Sequence, residues 1–152
     1  MGLLDIFKKN KKIYSDQINN KFVSDLKYNN VNIVIEFDIE ESKDHILEDY
    51  KVLEKDGIEK IIKNQFIPWI KGDDYKDRDD DKIYEGLNIY YISYEYSKII
   101  DKYSPTGEEN YFGKFLFGFE STSDYTSDIL ESVEMEVYVL NGRIVKVCGF
   151  DT

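Results

Sequence analysis

A chain of 152 residues with 31 acidic and 20 basic side chains, net −11, is long enough for one sizeable core. It is also too acidic to hold nucleic acid or an anionic membrane by charge. A hydrophobic fraction of 41% argues against disorder, and thirteen Tyr and nine Phe against one Trp lean towards β structure. The lone Cys148 forbids an intrachain disulfide, no apolar run approaches the length of a membrane span, and residues 1–12 lack the features of a secretory signal. The expected compartment is the cytoplasm.

Charge is unevenly divided along the chain. Residues 1–12 carry Lys8, Lys9, Lys11 and Lys12 against Asp5, a net +3, which leaves −14 for residues 13–152. Leu3, Leu4, Ile6 and Phe7 can share one face of a short helix, with the lysines just beyond. Residues 1–12 are therefore read as a basic amphipathic segment that packs on the domain, frays or touches a membrane surface. Residues 13–152 are read as a single domain. Ile6 stands where a myristoylation signal wants Ser or Thr.

From Lys21 the apolar period becomes two. Phe22, Leu26 and Tyr28, then Val31, Ile33, Ile35 and Phe37, alternate with polar residues around Asn29-Asn30, a pair that tolerates the positive φ of a tight hairpin. The expected register pairs Tyr28 with Val31, Leu26 with Ile33 and Phe22 with Phe37. Ser42 is the expected N-cap of a helix carrying Ile46, Leu47, Tyr50 and Leu53 on one side, with Gly57 as its stop or kink. Ile58, Ile61, Ile62 and Phe66 restart that period until Pro68, and Trp69 and Ile70 are expected to plug the end of the core.

Residues 72–86 read as a polar loop between glycines. Tyr90, Ile92, Tyr94 and Tyr96 then alternate with Tyr91, Ser93 and Glu95, and Tyr111, Phe115, Phe117 and Phe119 line one side of a further strand after a turn marked by Pro105 and Gly107. Residues 121–127 read as a loop. Strands over 132–139 and 143–149 flank Leu140-Asn141-Gly142. A three-residue loop, with Gly142 left-handed, would pair Val137 with Val145 and Met135 with Val147, and set Glu136 opposite Lys146. The expected architecture is α+β: one antiparallel sheet of five to six strands (hairpin, helical segment, meander) with helices on one face.

Catalytic and cofactor motifs are absent: no GxSxG, HExxH, P-loop or GxGxxG pattern occurs, and one histidine with one distant cysteine excludes the usual zinc spacings. His45 is read as an exposed surface residue and Cys148 as a small buried hydrophobe. Carboxylate-only catalysis leaves no short motif, and no pair among 31 acidic residues stands out. Asp77, Asp79, Asp81 and Glu85 alternate as calcium ligands do. Against the EF-hand pattern, however, Lys82 replaces the glycine and Asn88 the final glutamate, so the segment is read as a solvated acidic loop without metal. No cofactor is expected.

A one-layer sheet with helices on one side leaves its other face to be accounted for. Tyr91, Phe112, Leu116 and Tyr138 are expected there, towards solvent, among Glu95, Glu120, Glu134 and Glu136. Aromatics ringed by charge have the character of an interface hot spot. A chain segment or a second copy of the protein could equally cover that face. Candidate partner-binding residues are Tyr75, Asp77, Asp79, Asp81 and Tyr84 from the acidic loop, with Tyr91, Glu95, Glu136 and Tyr138 from the sheet.

In size, composition and strand–helix–meander order across residues 20–150, the chain resembles the small acidic α+β proteins of bacterial toxin–immunity loci. The resemblance implies a non-enzymatic protein-binding module whose carboxylates and tyrosines imitate the phosphates and bases bound by a basic toxin. The alternative expectation is a small housekeeping or regulatory domain acting by self-association, as a homodimer for example, or by small-ligand binding.

Overall fold

The computed structural model of the protein describes residues 21–99 and 104–151; the basic segment 1–12 lies outside them. β1 (Lys21–Tyr28) and β2 (Val31–Glu36) form the expected hairpin, with Asn29 and Asn30 at φ 51° and 65°. Tyr28 pairs with Val31, but Phe22 pairs with Ile35 rather than Phe37. The reason is an irregularity in β1 between Val23 and Lys27, where the Asn32 side chain donates to the Ser24 carbonyl at 2.9 Å. Phe37 leaves the strand at φ 62° and is 63% exposed.

α1 (Ile39–Asp56) is capped by Asp38, which accepts the Glu41 N–H at 3.2 Å, with Glu40 and Glu41 favourably placed in the first turn. Ser42 is not the cap. It is fully buried one turn later, where its hydroxyl oxygen accepts the Tyr96 N–H at 2.9 Å. Ile46, Tyr50 and Leu53 face the core as expected, whereas Leu47 is exposed. Gly57, at φ 89°, breaks the helix.

α2 (Ile58–Ile61), a π-helical turn (Ile62–Phe66) and α3 (Ile67–Lys71) then follow without interruption. Pro68 neither ends nor interrupts this run. The wide π turn places it in the first turn of α3, where its missing N–H costs nothing. Trp69 does not plug the core; it is 44% exposed and stacks on Phe66.

β3 (Leu87–Ile99), β4 (Asn110–Ser121), β5 (Ser132–Leu140) and β6 (Arg143–Asp151) complete one six-stranded sheet in the order β1 to β6. The class is α+β, and the sheet is antiparallel except between β2 and β3, which run parallel. The helical segment is responsible: it carries the chain back over the sheet before β3 begins, so β3 repeats the direction of β2. Among the described residues no helix is long and apolar enough to cross a membrane.

Two irregularities reset which side chains face the helices. Ile89 pairs with Phe119 and Tyr91 with Gly118, so Tyr90 is an extra residue in β3. It therefore leaves the face shared by Ile92 and Tyr94, and its ring lies over Gly118 instead. In the last hairpin Leu140 pairs with Arg143 across a two-residue Asn141-Gly142 turn (φ 52° and 79°), not a three-residue loop. A shift beyond Val139 makes Val145 the extra residue, so Val137 faces Val147 and Glu136 faces Cys148. The apolar phase that a two-residue turn alone would spoil is restored by the bulge.

The main core lies between the sheet and the helices. Ile33, Ile35, Ile92, Tyr94, Phe115, Phe117, Phe119, Met135 and Val137 meet Ile46, Leu53, Ile62 and Phe66 there.

Candidate functional site: the acidic second face of the sheet

The alternate residues of the same strands point away from the helices. Cross-strand register sets them in rows. Glu95, Lys114, Tyr138 and Lys146 form one, and Ser93, Leu116, Glu136 and Cys148 the next. Tyr91, Gly118 and Glu134 form a third, with Glu36 of β2 within reach of the Tyr91 hydroxyl, which donates to it.

Lys114 is the central cation of this surface. Its ammonium lies 3.1 Å from Glu95 Oε1 and 3.1 Å from Glu136 Oε2. Burial alone would lower its pKa, but the two carboxylates more than offset that and raise it. Glu136 also accepts the Tyr138 hydroxyl at 2.8 Å, so one carboxylate is shared by a lysine and a tyrosine. In these rows Glu36, Glu95, Glu134 and Glu136 stand against Lys114 and Lys146, which leaves a negative surplus of two. Burial, with Glu136 next to it, pushes the Glu134 carboxyl above its ordinary value.

Cys148 stands 3.9 Å from Glu136. It is half-buried, not a core residue, and burial with that neighbouring negative charge pushes its thiol up. A thiol held protonated at neutral pH is a poor nucleophile. What the rows offer chemically is a field for ammonium and guanidinium groups, with tyrosine rings beside the carboxylates.

Tyr91, Glu95, Glu136 and Tyr138 are thus brought together on one face. Phe112, expected towards solvent among them, is instead fully buried, with the Tyr138 ring edge-on to it at 6.2 Å. Sequence reasoning missed Lys114, Glu36 and Tyr90 as members of the group. Lys114 carried a signal, being a lone cation inside the aromatic run 111–119. Tyr90 carried none, because the bulge that turns it out is invisible in an unbroken alternation.

The loop candidates lie elsewhere. Residues 80–85 form a short helix, α4 (Asp80–Glu85), rather than loop, and Ile83 and Tyr84 pack with the helix-side core. Asp79 caps α4 by accepting the Asp81 N–H at 2.9 Å, Asp81 pairs with Lys63 at 3.0 Å, and Asp80 pairs with Lys71 at 2.6 Å. Tyr84 is half-buried under the Lys63 ammonium, and burial raises its pKa. Asp77 and Glu85 are exposed.

Arg78 ties this segment down. It forks onto Asp128 at 2.6 and 3.1 Å, donates to the Tyr125 carbonyl at 2.6 Å, and lies over the rings of Tyr75 and Tyr125. Tyr75 donates its hydroxyl to the Asp128 carbonyl at 2.9 Å. The segment expected as loop at 121–127 supplies this dock through a short helix, α5 (Asp124–Ser127). Its Thr126 is buried and donates to the Gly86 carbonyl. Asp79 and Asp81 are therefore engaged in capping and ion pairing within the fold. Among the described residues no three His, Cys, Asp or Glu side chains converge in a way that could hold a metal ion.

His45 is half-buried rather than exposed: its ring stacks face to face on Tyr96 at 3.6 Å, and Nδ1 lies 2.8 Å from the Glu41 carbonyl oxygen. Compared with family models, with curated proteins and with solved structures, the chain finds no match.

Proposed function

We propose that this chain is a non-enzymatic protein-binding module of the bacterial cytoplasm, taking a basic protein domain on the second face of its sheet as an immunity protein takes a toxin. One observation carries the reading: Glu36, Glu95, Glu134 and Glu136 stand with Tyr90, Tyr91 and Tyr138 on a single sheet face. Lys114 is an internal example of what such a face holds, an ammonium between two carboxylates with a phenol beside it. Carboxylates and tyrosine rings in rows imitate the phosphates and bases for which a nuclease cleft is built. The net −14 of residues 13–152 steers a positive partner towards that face.

The test is capture from the source cells at low salt, followed by association kinetics with the recovered protein. A basic partner is expected. Its association should slow as salt is added, and should slow in the Glu95→Gln, Glu134→Gln, Glu136→Gln triple variant. Absence of a basic partner, an association indifferent to both changes, or a stable self-dimer burying this face overturns the reading.

A further inference from the structure

Val34 and Phe112 are fully buried and Ser93 nearly so, yet all three lie on the sheet face turned away from the helices. Among the described residues Val34 packs on Val23 and Tyr91, both strand residues, with no helix residue in the group. A side chain on a bare sheet face keeps water on its outward side, and these three do not.

We propose that this face is covered by the chain's own first twenty residues, and that this basic segment competes there with the basic partner. Three observations converge on that occupant. The first is charge: Lys8, Lys9, Lys11 and Lys12 against Asp5 meet a surface where Glu95 and Glu136 share one lysine and Glu36 and Glu134 add further negative charge. The second is apolar matching, since Leu3, Leu4, Ile6 and Phe7 offer apolar side chains to a face that carries Val34, Phe112 and Leu116 among its charges. The third is where the described chain starts. Lys21 opens the edge strand β1, and its ammonium lies over the Tyr91 ring, 5.8 Å from the centroid, so the described chain begins at the rim of this face. Six strands at about 4.8 Å spacing are roughly 24 Å across, and even fully helical, twenty residues reach about 30 Å.

The segment is then an internal stand-in for a basic partner, which must displace it. That competition rests on the partner-binding reading above; the seating itself does not.

Cys148, the lone thiol, lies on this face beside Glu136 and reports on the cover. The experiment measures its labelling by a neutral maleimide in the full chain. Two full-length variants are compared with wild type: Lys8, Lys9, Lys11 and Lys12 to Glu, and Leu4→Asp with Phe7→Asp. Labelling is expected to quicken about tenfold in both, and in wild type when salt rises from about 20 to 500 mM. Replacing lysines by glutamates near a thiol lowers its thiolate fraction, so faster labelling cannot come from charge alone. Rates within about twofold of wild type in both variants, with an unchanged melting curve, overturn the proposal. So does a wild-type rate that ignores salt but falls with protein concentration, the mark of a second copy as the cover. Because no partner is present, failure of the partner-binding reading leaves this result untouched, and failure here leaves partner binding to its own test.

Discussion

The hydroxyl of Tyr94 donates to Asp49 Oδ2 at 2.6 Å, directly above a strand position that has no side chain. That position is Gly113. A Cβ placed there would stand 1.9 Å from the Asp49 carboxylate and 2.8 Å from the Tyr94 oxygen. α1 can lie this close to β4 only because residue 113 is glycine. Gly113→Ala is therefore expected to cost about 2–4 kcal/mol, from overpacking and from the loss of a part-buried hydrogen bond. Gly149→Ala would also collide, with Trp69, which is 44% exposed and can swing aside, and with Phe66, which is fully buried and cannot, so about 1–3 kcal/mol is expected. Urea unfolding of the two variants checks the order.

The same pair makes a pH prediction. Burial raises the Asp49 carboxyl above its ordinary value, and the Tyr94 hydrogen bond only partly offsets this. The folded protein thus holds that proton more tightly than the unfolded chain. Stability contributed by this site is highest at low pH and declines as pH rises from the unfolded carboxyl value through the folded one. Asp49→Asn keeps an acceptor for Tyr94 and removes the titration. It should be at least as stable as wild type at pH 7, and its stability should fall less between about pH 4 and 7. An Asn variant with an unaltered pH slope would show that Asp49 does not carry it.

Lys114 invites the opposite experiment. Lys114→Met leaves Glu95 and Glu136 facing each other beside Glu134, all partly withdrawn from water. A fully buried pair broken this way loses several kcal/mol. Here some solvent contact remains, and about 1–3 kcal/mol is expected at neutral pH. The loss should shrink as pH falls and the carboxylates take up protons. Adding Glu136→Gln to the Lys114→Met variant should restore part of it at pH 7, and thermal melts of the double variant decide this.

How much of this was legible in the sequence depends on the scale asked. Val31, Ile33 and Ile35, then Phe115, Phe117 and Phe119, then Val133 to Val139 keep an apolar period of two, and the helical period of Ile46, Tyr50 and Leu53 is equally plain, so the class and element order could be read. Registers were less accessible, because each bulge inserts one or two residues without breaking any composition rule. Tyr90, Phe22 and the partners of Val137 were misplaced for that single reason. The N-cap was misread because Asp38 and Ser42 are both good caps, and only the tertiary contact of Ser42 with Tyr96 decides between them. For the candidate face, Tyr91, Glu95, Glu136 and Tyr138 follow from strand phase. The acidic loop did not follow, because pairing of Asp80 and Asp81 with Lys71 and Lys63 depends on the helical run continuing past Pro68.

The dock of Arg78 tests that last point. Its two parallel bonds to Asp128, with a third to the Tyr125 carbonyl, need the planar fork of a guanidinium. Arg78→Lys should therefore loosen residues 72–79 although the charge is kept. Faster amide exchange and earlier proteolytic nicking there are expected, with the β3–β5 amides unchanged. The carboxyl of Asp128 is held below its ordinary value by Arg78. This contact is thus complete above the unfolded carboxyl value and released as pH falls through the folded one. Wild type should acquire the same nicking pattern at acid pH. Equal protection of 72–79 in the Lys variant would show that the guanidinium fork is not what holds the segment.

The final hairpin offers a test of register. Asn141 and Gly142 both sit at positive φ, the geometry of a tight two-residue turn, and open space surrounds Gly142. Sterics around a new side chain are therefore not at issue there; only backbone conformation is. Gly142→Val is expected to cost about 1–2 kcal/mol, because a β-branched residue resists φ near 79°. Asn141→Gly should change stability by only a few tenths of a kcal/mol, roughly, since both residues tolerate the left-handed region. Deleting Val145 separates this turn from a three-residue loop. If Val145 is the bulge residue, its removal only flattens the bulge, leaving Lys146 opposite Tyr138 and Val147 opposite Val137, and the hairpin should keep its urea midpoint to within about 1 kcal/mol. A deletion that unfolds the hairpin at much lower urea would mean that Lys146 had been brought opposite Val137, as a three-residue loop requires, and that Leu140 and Arg143 do not close the turn as a pair.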